Sequence, residues 1–278
     1  MTYKMLVSDI DGTLLNSRGI LTPAVIEAIR EAHDQGIIVT LATGRHLRGV
    51  KQIVQQIGVS VPVILGNGAV IVDPHKGETL LHRPLAPETT AAILDVIAKH
   101  GLWSSLFFHR EEGVDTLYDR DPGFAEAYLF IHKDQPDVAQ QVEDLKSFAA
   151  QDPIKVLLLN TPDRVHPLAE DLRNLQVEHP FSLVVTDHDF PDYTFLECFA
   201  PQSSKATGIE HLTKRFGLRP EQVVAVGDNV NDVEMVDYVG LGVAMGNATA
   251  ELKRRADFVT KTNDEDGVAY LIREKILV

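Results

Sequence analysis

Two carboxylates stand two residues apart in Asp9-Ile10-Asp11-Gly12-Thr13, directly after a short apolar run ending Leu6-Val7-Ser8. If that run is a strand and its alternation continues, Asp9 and Asp11 point to the same side. Carboxylates that close repel, and one is driven to take a proton unless a divalent cation separates them. The same residues also suit a solvated turn in which an aspartate caps the chain and Gly12 supplies a positive φ. A second acidic cluster, Gly227-Asp228-Asn229-Val230-Asn231-Asp232, follows the apolar run Val223 to Val226. Asp228 and Asp232 are four apart, so a loop-to-helix turn can aim both inward. Asn231 or Asp232 can equally cap the next helix, and the two roles are compatible because a helix N-terminus favours anions. Thr43-Gly44-Arg45 offers a hydroxyl and free amides at a helix start, a phosphate cradle, although Thr-Gly is also common turn punctuation. Lys205 opens a helix, where the dipole disfavours a cation. A phosphate would explain it; an exposed lysine there would cost only about a few tenths of a kcal/mol.

The elements that must position these groups read as an alternation. Leu6 to Ser8 predicts a buried strand. Thr22-Pro23 predicts a capped helix start, with Val25, Ile26, Ile29 and Ala32 on one face and Gly36 near its stop. Ile37 to Ala42 is the next strand, a helix runs to about Gly58, and Val61 to Leu65 is a third strand. Strand and helix in turn with short connections imply a parallel sheet covered on both faces. The last quarter repeats this: a helix from about Ser204 to Phe216, a strand at Val223, a helix, a strand from Leu241 to Ala244, and a helix from Gly267. The middle differs. Helices are expected from Pro87 to about Gly101, from Asp134 to Ala150 and from Thr161-Pro162, with strands at Leu102–Phe108, Ile154–Asn160, Phe181–Asp187 and Thr194–Phe199. The expected fold is α/β: a doubly wound parallel-sheet core formed by residues 1–84 and 200–278, with an α+β domain inserted at 85–199.

Composition narrows the function. The chain has 278 residues, enough for two ordinary domains at roughly 100–200 residues each. Lys and Arg number 26 against 40 Asp and Glu, a net charge of −14 that repels a phosphate backbone or an anionic membrane. Neither nucleic acid nor a membrane is therefore expected as a partner. An anionic substrate needs a local device, a metal or a few placed cations. The single cysteine, Cys198, forbids an internal disulfide, and no signal-peptide or spanning segment is recognisable. A cytoplasmic protein is expected; its oligomeric state is not legible. The eleven histidines lack metal-ligand spacing. Trp103 and Phe107-Phe108 read as packing of the inserted domain, and Asp264 to Asp266 as a capped helix start.

Together the four chemical segments resemble the haloacid dehalogenase superfamily of phosphohydrolases, most closely its Cof-type branch (subfamily IIB), in which a cap is inserted between the second and third motifs. Asp9 to Leu15 is similar to the first motif, Leu41 to Arg45 to the second, Ser204-Lys205 to the third and Gly227 to Asp232 to the fourth. The resemblance continues through Gly66-Asn67-Gly68-Ala69, Val243 to Ala248 and Asn263 to Gly267. One departure is Ala206, where the family often has glycine; alanine is the better helix former.

The resemblance implies a phosphatase acting on small phosphorylated metabolites, sugar phosphates or phosphorylated cofactors. Asp9 would form an aspartyl-phosphate, and Asp11 would serve as general acid and then base. Mg²⁺ would be bound by Asp9, the backbone carbonyl of Asp11 and Asp228, with Asp232 behind them or reaching the ion through water. Ile10, Thr43, Gly44, Arg45, Lys205 and Asn231 would hold the phosphate, Thr43 and Lys205 acting in catalysis as well. The cap would close over the site and set specificity through loops such as Asp115 to Asp121 and Asp187 to Tyr193. A phosphomutase using the same phosphoenzyme, and a phosphate-binding regulator without turnover, are the alternatives.

Overall fold

Three segments of parallel strand account for where the acidic clusters lie. Met5–Ser8 is hydrogen-bonded on one side to Val223–Gly227 and on the other to Ile38–Leu41, with Ser8 opposite Val226 and Leu41. Leu241–Ala244 and Phe258–Val259 extend the sheet beyond Val223–Gly227, giving a five-stranded parallel order. Met5–Ser8 and Val223–Gly227 are buried along their whole length, so both sheet faces are covered. One group of helices, Pro23–Asp34 and Gly267–Leu271 with the turn that continues it, packs together; another is formed by Lys205–Phe216, Val233–Tyr238 and Ala250–Arg255. Met5, Val7, Val223 and Ala225 share a buried cluster with Ile64, Ile71, Ile209, Leu212 and Met235.

The computed structural model describes residues 3–110, 112–120, 123, 137–190 and 192–277, without the side chains of 188–190. The chain divides into two compact units, Met1–Leu81 with Ser204–Val278, and His82–Ser203. In the first unit the expected helix at Thr22-Pro23 is Pro23–Asp34, with the Thr22 hydroxyl accepting from the Val25 N–H and Val25, Ile29 and Ala32 buried. The expected third strand is present as Val63–Leu65, but it belongs to another sheet. Val63–Leu65 is joined to the parallel sheet by a parallel bridge from Ile64 to Ala42 and forms its ladder antiparallel with Val70–Asp73. The Gly66–Gly68 turn reverses the chain there, and Glu78–His82 completes a separate three-stranded sheet.

The second unit is a six-stranded sheet in the order Ser182–Phe190, Tyr193–Phe199, Pro153–Asn160, Ser105–Phe108, Thr116–Tyr118, Ala139–Gln141. It is antiparallel except for its last pair. Helices Pro87–Lys99 and Pro162–Leu175 pack on each other and on Pro153–Asn160. Trp103, Phe107 and Phe108 are buried in this unit, as packing residues should be. The helix expected over Asp134 to Ala150 is overturned where it can be seen; residues 134–136 lie outside the described ones. Ala139–Gln141 is a strand paired with Thr116–Tyr118, and the Val138 carbonyl takes the Asp115 and Thr116 N–H groups. An open sheet edge at Thr116–Tyr118 outweighed a weak helical pattern, and Asp144 then caps a separate short turn by accepting from the Lys146 N–H at 2.9 Å. The segments expected as loops are also partly strand. Thr116–Tyr118 lies within the first and the end of Ser182–Phe190 within the second, while residues 121 and 191 lie outside the described residues. Among the described residues no helix is long and apolar enough to cross a membrane.

Candidate active site

Parallel strands in register deliver their carboxyl ends to one rim, where open sheets of this kind bind ligands. The Asp9 N–H continues the ladder to the Val226 carbonyl at 3.0 Å, and the Ala42 N–H bonds the Ser8 carbonyl at 2.9 Å. Asp9 and Asp228 therefore emerge from neighbouring strands, with Thr43 two residues beyond the end of the next. The strand itself stops at Ser8. Ile10–Leu14 forms a single wide turn, closed by the Leu15 N–H on the Ile10 carbonyl at 2.9 Å. The alternation argument for Asp9 and Asp11 thus fails: Asp9 is buried, while the Asp11 side chain is 58% exposed and faces the Arg45 guanidinium. Arg45 donates to both Asp11 oxygens, Nε at 2.7 Å and Nη2 at 2.5 Å.

Lys205 is the centre of the buried cluster. Ser204 caps its helix through the Thr207 N–H, so the Lys205 side chain leaves the first turn. It is wholly enclosed, unlike the exposed lysine that would need no explanation, with Nζ 2.8 Å from Asp9 Oδ1 and 2.6 Å from Asp232 Oδ1. The other Asp232 oxygen accepts the backbone N–H groups of Asp228 and Asn229 at 2.9 and 3.1 Å. Asp232 therefore orients both Lys205 and the turn that carries Asp228. Thr13 donates to Asp228 Oδ1 at 2.7 Å, a contact between residues 215 positions apart that the sequence did not suggest. Gly12 faces the same carboxylate. With φ at +71° it occupies the left-handed region, and a Cβ there would stand 2.2 Å from Asp228 Oδ2.

Three buried carboxylates face one buried ammonium, an excess of two negative charges. The electrostatics register it. Burial, with Asp232 and Asp11 adding to it against Lys205, pushes Asp9 up to about 7. Burial, then Asp9 and Asp232, push Asp228 up to about 8 against the Thr13 hydrogen bond and Lys205. Burial acts to discharge Lys205, but Asp232 and Asp9 outweigh it and raise the ammonium above the ordinary lysine value. Asp9, Asp228 and Asp232 can each offer an oxygen within 4.8 Å of the others. Oxygen donors in anionic excess, two of them reluctant to ionise without a counter-charge, fit a hard divalent cation. The Asp11 side chain lies outside this group, in its pair with Arg45.

The remaining residues singled out by sequence form a polar rim. Thr43 is buried; its hydroxyl accepts from the Arg45 N–H at 3.1 Å, and its carbonyl accepts from the Asn67 N–H at 2.9 Å. Gly44 lies against the Asn67 side chain. Asn231 donates to Asn67 Oδ1 at 3.1 Å. Ile10 is buried and its carbonyl is taken by Leu15, which leaves its N–H as what it can offer a ligand. Asn247, whose Nδ2 donates to the Gly12 carbonyl at 2.8 Å, is a further support that sequence reasoning passed over. The signal for Thr13, Asn67 and Asn247 was a hydroxyl or amide beside a glycine within each motif.

A family model for haloacid dehalogenase-like hydrolases matches residues 6–272. Phosphatase YwpJ of Bacillus subtilis is 30% identical over 288 residues, covering 97% of this chain and 99% of that protein. The 5-amino-6-(5-phospho-D-ribitylamino)uracil phosphatase YcsE of the same organism is 30% identical over 279 residues, covering 99% and 96%. A haloacid dehalogenase-like hydrolase of Bacteroides thetaiotaomicron has a similar structure, with a TM-score of 0.81 at 26% identity over 98% of this chain and 99% of that one. The chain belongs to the haloacid dehalogenase-like hydrolases. Within that family it is a phosphatase, a hydrolase of phosphoric monoesters.

Proposed function

We propose that the protein dephosphorylates small phosphorylated metabolites, sugar phosphates or phosphorylated cofactors, through a phosphoenzyme on Asp9. The observation that carries this is the buried Asp9 carboxylate held at 2.8 Å by a fully enclosed Lys205, beside two further buried carboxylates. An Asp9 oxygen attacks phosphorus, and the bond from phosphorus to the ester oxygen breaks. Asp11, outside the buried cluster, would turn from Arg45 and pass a proton taken from solvent to the departing alcohol. It then takes a proton from the water that attacks the phosphorus, which releases inorganic phosphate and restores Asp9. Thr43, the Gly44 and Ile10 amides, Arg45, Asn231 and Lys205 hold the phosphoryl oxygens. Mg²⁺ is the ion we assign to Asp9, the Asp11 carbonyl and Asp228, with Asp232 behind them; it would keep both carboxylates ionised and offset phosphoryl charge. Positioning and charge neutralisation are what phosphoryl transfer chiefly needs.

A relative named for a phosphorylated ribitylaminouracil supports a small-molecule monoester as the substrate class. We assign the choice among such monoesters to the inserted unit, His82–Ser203. A panel of phosphorylated metabolites, assayed for inorganic phosphate with Mg²⁺ present, tests the proposal. Release by the wild type and none by Asp9→Asn, with an unchanged circular dichroism spectrum, is the expected result. Full activity in Asp9→Asn removes the nucleophile, and isomer formation without phosphate release makes the enzyme a mutase.

A further inference from the structure

One buried donor near the rim lacks a partner. Asn67 is 2% exposed, and its side-chain nitrogen is enclosed without a hydrogen bond. Buried amide groups are nearly always paired, so an unpaired one asks for a reason. Its surroundings are specific. The Asn67 backbone N–H donates to the Thr43 carbonyl at 2.9 Å, and Oδ1 accepts from Asn231 Nδ2 at 3.1 Å. Nδ2 lies 3.4 Å from the place a Cβ would take on Gly44. Asn67 holds φ at +49°, a conformation that asparagine tolerates better than most residues. The next residue, Gly68, approaches the start of the Lys205 helix so closely that a Cβ would stand 2.1 Å from the Ser204 carbonyl oxygen.

The turn Gly66–Gly68 therefore touches three of the groups assigned to the phosphoryl oxygens: the Thr43-Gly44 turn, Asn231 and the segment that launches Lys205. These come from three separated stretches of chain, and nothing in local propensity sets their spacing. A residue that only filled space here would do so better without an amide, because a half-paired buried amide is worse than an apolar side chain. We infer that Asn67 is a positioning residue of the phosphate site, fixing the Asn231 amide against the Thr43-Gly44 turn and keeping a spare N–H beside Gly44. In a water-poor setting that unpaired dipole retains its strength, and an anion seated against Gly44 lies within its field. This inference rests on the phosphatase reading and deepens it.

The probe is inorganic phosphate, titrated calorimetrically into the full-length protein with Mg²⁺ present. Asn67→Gly keeps the positive φ and the N–H to Thr43 while removing the amide. Asn67→Asp keeps an acceptor for Asn231 and puts a carboxylate oxygen where the spare donor was. The phosphate Kd rises about tenfold to a hundredfold in Asn67→Gly, the range expected for one hydrogen-bonding contribution to a charged group, and further in Asn67→Asp. KM for p-nitrophenyl phosphate rises with it. In an Asn231→Ala background, Asn67→Gly costs less than it does alone, because the two side chains act as a unit. A merely structural role would lower Tm and leave Kd, measured well below each variant's Tm where the folded fraction is near one, within twofold of wild type in both variants; that result overturns the inference. A wild type that binds phosphate but releases none from any monoester defeats the phosphatase reading and leaves Asn67 judged on Kd. A wild type that binds no phosphate defeats both.

Discussion

Replacing Lys205 by methionine removes the cation that, among the described residues, pairs with both Asp9 and Asp232, while keeping most of the side-chain volume. In metal-free protein Asp9, pushed up to about 7, is already half protonated at neutral pH and can absorb the loss. Asp232 is left fully enclosed, with two backbone N–H groups and no counter-ion. Its escape is to take a proton. From the ordinary aspartate value of about 3.9, protonation at pH 7 costs about 3 units at 1.36 kcal/mol each, or about 4 kcal/mol. That agrees with the roughly 3–5 kcal/mol lost when one partner of a buried pair is removed. At pH 5 the same route costs only about 1.5 kcal/mol. The sign is fixed by proton counting: the folded variant holds a proton that the unfolded chain has released, so its deficit grows as pH rises above about 4. Circular dichroism melts in chelator should therefore show Tm lowered by about 8–16 °C at pH 7, taking 2–4 °C per kcal/mol, and by less than half that at pH 5. A deficit equal at both pH values, or below about 3 °C at pH 7, refutes the account of Lys205 as the counter-ion.

Four further outcomes follow from the same geometry. Gly12→Ala should cost about 1–2 kcal/mol of stability through backbone strain, seen as a lower Tm, and also weaken Mg²⁺ binding, because its Cβ collides with Asp228. Gly19→Ala, with φ at +70° but nothing within 4 Å, should cost the strain and leave metal titration unchanged. Arg45→Ala breaks a pair that is partly exposed, worth about 1 kcal/mol or less, so Tm should move by no more than about 4 °C while turnover falls as the phosphoryl group loses a cation; a drop above 10 °C would contradict the exposure of that pair. In metal-free protein Asp9 and Asp228 keep their protons toward about 7 and 8, while the unfolded chain releases them near 4, so stability is lost as pH rises through that window. A fixed Mg²⁺ concentration, replacing those protons, should raise Tm more at pH 8 than at pH 6 by fluorimetry, and an equal rise at both would count against metal binding at these carboxylates.

Much of this protein was legible in the residue string because its chemistry is local and its strands are short. Three of the four chemical motifs follow an apolar run, and a parallel ladder with neighbouring residues in register can only bring such motifs to one rim; Lys205 reaches it from a helix start. Helix ends were legible for the same reason, as at Thr22-Pro23 and at Gly217, which takes φ +63° after Phe216. Tertiary structure alone decided the rest. Whether Asp11 would join Asp9 or turn to Arg45 depended on where the strand stopped, and the alternation rule does not report that. The strand at Ala139–Gln141 replaced an expected helix because a sheet edge far away in sequence needed pairing. The burial of Lys205, the grip of Thr13 on Asp228 and the unpaired amide of Asn67 arise from contacts across up to 215 positions. Such contacts are fixed only when whole elements pack, because the dielectric, the hydrogen-bond partner and the neighbouring charge are properties of the surroundings and not of the residue.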